Sequence, residues 1–72
     1  MSTNAKEDRI KEIEQEIAQH RAQIETSKRS IESYRDDPDM MADAGVREGG
    51  RINMAQEAIK RLEEELRSLR DA

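Results

Sequence analysis

The stretch IKEIEQEIAQHRAQIETSKRSIESY, residues 10–34, decides the fold. Its isoleucines Ile10, Ile17, Ile24 and Ile31 stand seven residues apart, and Ile13, His20, Ser27 and Tyr34 fall between them in 3-4 alternation. This is the a/d spacing of a coiled coil, the period that keeps one narrow stripe of a helix turned toward a partner. A second stripe with the same alternation runs through Ile52, Ala55, Ile59, Leu62, Leu66 and Leu69, and projects backwards through Glu48 and Gly45 to Met41. Two such stripes in one short chain predict an all-α fold. We expect an antiparallel two-helix coiled-coil hairpin that assembles into a four-helix bundle or a higher homo-oligomer.

The sequence between the stripes places the turn. Asp36-Asp37-Pro38-Asp39 stops one helix and starts another, because proline disfavours α conformation in the residue before it and suits the first position of a helix. Asp37 is then a natural N-cap. The expected elements are a first helix over about 5–35, a turn at 36–37 and a second helix over about 38–70. Ser2, Thr3 or Asn4 caps the first helix, and with Asn4 in that role Glu7 falls at N3 in an arrangement resembling a capping box. Gly45, Gly49 and Gly50 each cost a helix about 1 kcal/mol relative to alanine, so a kink or loop at 45–50 competes with an unbroken helix. The continuous heptad and the rarity of long loops favour the unbroken helix. A tight turn at 36–37 would set Ile24 opposite Gly49 and Ser27 opposite Val46 and Gly45. The Gly45-to-Gly49 spacing suggests close approach of the two backbones.

Composition bounds the rest. The 72 residues are 42% charged and 33% hydrophobic, with one aromatic side chain, no cysteine and a formal net charge of −4. A chain this small buries little surface alone, so a homo-oligomer is expected, with a dimer the simplest closed form. Ala44, Val46, Met54 and Ala58 are the expected apolar surface beside the second stripe. Without cysteine there is no disulfide and no thiolate metal site, which fits a reducing cytoplasm. No apolar run reaches the ~20 residues of a membrane span and no signal-peptide core is visible, so the expected location is cytoplasmic, away from membranes.

Chemistry-bearing residues are few. His20 sits in the first stripe, where a polar side chain commonly fixes register, and it lacks a nucleophile to activate, since Ser27 lies two turns away. Asp36, Asp37, Asp39 and Asp43 lack the spacing of a calcium loop and read as helix-capping charge. No phosphate loop or dinucleotide fingerprint is present. Neither catalytic residues nor a cofactor or metal is expected. The expected oligomer seam comprises Ile10, Ile13, Ile17, His20, Ile24, Ile31, Tyr34, Met41, Ile52, Ile59, Leu62, Leu66 and Leu69.

These features predict a non-enzymatic hairpin that binds another protein as an adaptor, chaperone or inhibitor. A second reading starts from the middle of the chain. There Arg21, Arg29, Arg47 and Arg51, with Gly49, Gly50 and Asn53, would form a basic band for a small anionic ligand such as a nucleotide, or for RNA. Duplex DNA is not an expected partner, given the acidic balance. A third reading is a structural module of a larger assembly, such as a phage particle. The outline resembles small dimeric helical hairpins of the four-helix-bundle type, in shape alone, and fold does not fix function.

Overall fold

The computed structural model describes residues 4–71. They form two helices, α1 (Ala5–Glu32) and α2 (Pro38–Asp71), packed against each other as an antiparallel hairpin with no strand among the described residues. Both helix starts follow from local side-chain chemistry. Asn4 is the N-cap of α1, its Oδ1 accepting from the Glu7 backbone N–H at 3.4 Å. At α2 the carboxylate of Asp37 accepts from the Met40 N–H at 3.2 Å, and Pro38 occupies the first helical position, where no N–H is missed. The alternative caps Ser2 and Thr3 lie outside the described residues.

The first helix ends earlier than the expected 35, and the turn is wider than 36–37. Ser33 still donates to the Arg29 carbonyl at 2.9 Å. Beyond it the bonds tighten to three-residue spacing: Tyr34 to Ile31 and Arg35 to Glu32, both at 3.1 Å, then Asp37 to Tyr34 at 2.9 Å. This winding-down reverses the chain without any positive φ among the described residues, so the turn requires no glycine. Ser33 assists by donating its hydroxyl to the Ser30 carbonyl at 2.6 Å.

The second helix is continuous through Gly45, Gly49 and Gly50. The close approach expected at these glycines is not what the structure holds: a methyl group built at any of the three meets nothing within 4 Å. They are therefore helix residues that forgo a side chain without gaining a contact.

The apolar core is small: Ile13, Ile17, Ile24, Ala44 and Ala55 are buried, with Ile13 fully enclosed. Ile10, Ile31, Ile52, Ile59, Leu62, Leu66 and Leu69 are only half-covered. The hairpin measures 57 × 20 × 12 Å, so it is one helix layer thick and both broad faces are open. An ion-pair clamp closes its free end, where Arg9 donates to both carboxylate oxygens of Glu65 at 2.7 and 2.9 Å and also reaches Glu12 at 3.2 Å.

Replacing Gly45, Gly49 and Gly50 together by alanine meets no steric obstacle and no unusual φ. The triple variant should gain up to about 1 kcal/mol per site in unfolding free energy. Urea melts followed by circular dichroism check this; a loss of stability would show that the glycines serve a contact this single hairpin does not contain.

Candidate functional site

The most unusual residue of the interior is Glu48, a carboxylate only 5% exposed on the inner side of α2. Burying an ionised carboxylate is unfavourable unless hydrogen bonds and opposite charge replace its water. Three side chains do so. Ser27, buried on α1, donates its hydroxyl to Glu48 across the helix interface. Arg51 Nη1 stands 3.2 Å from Glu48 Oε1, one turn along α2, and Arg47 Nε stands 3.6 Å from the same oxygen. The Ser27 hydrogen bond, followed by the charge of Arg51 and then Arg47, holds the Glu48 carboxyl below its usual titration range despite the opposing effect of burial.

This contact fixes the register. Ser27 faces Glu48 rather than Val46 and Gly45, and Arg9 faces Glu65, which displaces the expected pairing by one to two residues. The displacement accompanies the wider turn. Near that turn the inner stripe of α2 also departs from strict heptad positions: Met41 is exposed, whereas Ala44 is 1% exposed and lies inside the hairpin instead of on an outer surface. A straight helix explains it, because a heptad repeat drifts ~20° per seven residues whereas eleven residues make about three whole turns. Ala44 is eleven residues before Ala55 and so returns to the same side.

Beside Glu48 a groove of about 780 Å³ runs along one broad face between the helices. Its α1 wall is His20, Ala22, Gln23, Thr26, Ser27 and Ser30, and its α2 wall is Glu48, Arg51, Met54, Ala55 and Ala58. Small side chains make the depression, and its surface is mostly apolar. Thr26 bonds its hydroxyl back to the Ala22 carbonyl at 3.0 Å, which removes a donor from the groove. His20 is half-buried at the rim with its Nδ1 3.4 Å from Gln23 Oε1; that neighbour, rather than Glu16, is its polar contact.

The expected basic residues are dispersed. Arg21 pairs with Glu63 at 3.7 Å on the opposite broad face, where Glu14 and Arg70 also meet at 3.9 Å. Arg47 and Arg51 both turn to Glu48. Arg29, Gly50 and Asn53 are exposed and Gly49 is half-covered. Of the four apolar residues expected on the surface beside the second stripe, Ala44 is buried and Ala58 half-covered, Met54 is 74% exposed and borders the groove, and Val46 is 82% exposed and does not. Among the described residues no three His, Cys, Asp or Glu side chains converge as a metal site. No helix among the described residues is long and apolar enough to cross a membrane. Sequence reasoning ran the second stripe through Glu48 but did not pair it with Ser27; a carboxylate and a hydroxyl at seam positions of both helices were the available signal.

No protein-family model matches the chain, and no curated protein or solved structure is significantly similar to it.

A depressed folded pKa means that the ionised Glu48 stabilises the hairpin above the ordinary carboxylate range and that this contribution is lost as pH falls below about 4.5 through the folded value. Urea midpoints measured from pH 7 down to pH 3 should therefore drop more steeply for the native chain than for Glu48→Gln. Parallel curves would mean that Glu48 carries no folding-linked proton.

Proposed function

We propose that this protein is a non-enzymatic helical-hairpin module that self-associates into a helical bundle and binds another protein through its helix faces, as an adaptor, chaperone or inhibitor. The observation that carries this reading is the incomplete cover of the apolar stripe. Among the described residues five apolar side chains are buried, and the larger remainder of the stripe is left half-exposed along a layer 12 Å thick. Ordering nearly seventy residues costs conformational entropy of the same size as the whole apolar gain in so small a structure. A second helix layer supplies the missing cover.

The groove's chemistry agrees with binding rather than catalysis. Its buried carboxylate is already bonded to a hydroxyl and two guanidinium groups, and its lowered pKa makes it a weak proton acceptor. The remaining lining is chiefly alanine, serine, threonine and methionine, which offer packing surface. Arginines committed to carboxylates also leave less field for an anionic ligand than the sequence suggested.

Ile24→Asp places a charge in the buried stripe and should abolish both assembly and retention of partner proteins from a cell lysate. A surface control, Gln15→Ala, should keep both. Gel filtration with light scattering and affinity capture read the outcome. Retention of nucleic acid or nucleotide in place of protein, lost in Arg47→Ala/Arg51→Ala, would contradict the reading.

A further inference from the structure

The two broad faces of the hairpin are chemically different, and the difference selects one of them as a contact surface. One face is crossed by the ion pairs Arg21 with Glu63 and Glu14 with Arg70. The other carries the apolar groove, and along its middle Gln23, Ser30 and Ala58 hold the flanking positions that are charged on the first face. The charged groups lining the groove, Arg51 and Glu48, pair with each other within the chain, and the Arg9–Glu65 pair stands on the same side at the free end, two heptads before Gln23 and one heptad after Ala58.

This face also bears its own protrusions. Met40, 44% exposed, and Met54, 74% exposed, lie two heptads apart on the same side of α2. Methionine adapts its shape to irregular apolar gaps. A two-fold interface requires projection and recess on the same surface, because each copy offers one to the other. Met54 stands at the rim of a recess lined by the buried Ala55 and the half-covered Ala58, and it also lies near the mid-length of the hairpin, where a two-fold axis would bring it close to its mate. The available area is sufficient: a face 57 Å by 20 Å offers roughly 1,100 Å², against about 800 Å² per partner in a typical stable complex.

We propose that a second copy of this chain packs across the groove face, with Met54 of each copy seated in the alanine-floored recess of the other. This rests on the self-association proposed above and specifies the surface that does it. The result is a four-helix bundle whose outer faces carry the Arg21–Glu63 and Glu14–Arg70 pairs, and whose interior takes in the half-covered isoleucines and leucines. Because Arg51 and Glu48 are paired within each copy, the two-fold brings neutral pairs rather than lone like charges together.

The chain contains no cysteine, so single-cysteine variants of the full chain report geometry cleanly. Thr26→Cys and Glu25→Cys replace residues that are both exposed and adjacent on α1, but the first lines the groove and the second leans toward the opposite broad face, and neither is the projecting Met54 or the alanine recess. Nitroxide-labelled samples of each, with circular dichroism to confirm unchanged helicity, give the inter-copy distance by pulsed electron resonance. The label pair at 26 should be closer than the pair at 25 by about one helix diameter, roughly 10 Å. The reverse order, or equal distances, would overturn the choice of face while leaving self-association intact. No inter-copy distance at either position in a folded sample would overturn both.

Discussion

A carboxylate held inside an apolar seam is the constraint on which this hairpin depends. Glu48 stays ionised there because Ser27 on the facing helix donates to it and Arg47 and Arg51 flank it from its own helix. Isoleucine contacts alone tolerate sliding of one helix past the other, since a stripe with a seven-residue period matches itself at several offsets. Sliding by half a heptad would set Glu48 against Ile24 or Ile31 and leave a desolvated charge without its hydroxyl. The contact near the middle of the hairpin thereby selects one register, and the Arg9–Glu65 clamp at the free end agrees with it.

From that register follows a thin object. The helices meet along a line, cover only a few apolar residues fully, and leave two faces of unlike character: one crossed by the Arg21–Glu63 and Glu14–Arg70 pairs, the other grooved, small-residue-lined and edged with methionine along its middle, with the Arg9–Glu65 pair at its end. In a larger domain such a groove would be filled by the next element of the chain. Here α2 runs to Asp71 and no further described element crosses the face. In the proposed reading the helix faces are the working surface.

Much of this was legible in the residues themselves. The cap at Asp37 rests on chemistry spanning three residues, so identity and spacing suffice to find it, whereas Asn4 was one of three candidates for α1. The unbroken path of α2 through three glycines followed from the heptad continuing on either side, because packing of a long amphipathic helix outweighs local propensity. The turn and the register were less legible. The end of α1 has no glycine or proline to mark it and is set by a gradual tightening of backbone bonds from Ser33 to Asp37. The pairing of Ser27 with Glu48 is non-local, and the shift of Ala44 into the core comes from a straight helix drifting off the heptad. The glycine spacing suggested intimate packing, yet the structure leaves open space around all three.

The most direct test of this account is native mass spectrometry of the untagged, gently purified protein across a range of concentrations. The account predicts a species at twice the 8.3 kDa chain mass that gives way to unfolded monomer on dilution, because the second layer completes the core. A monomer that remains helical and resists unfolding on dilution would contradict it.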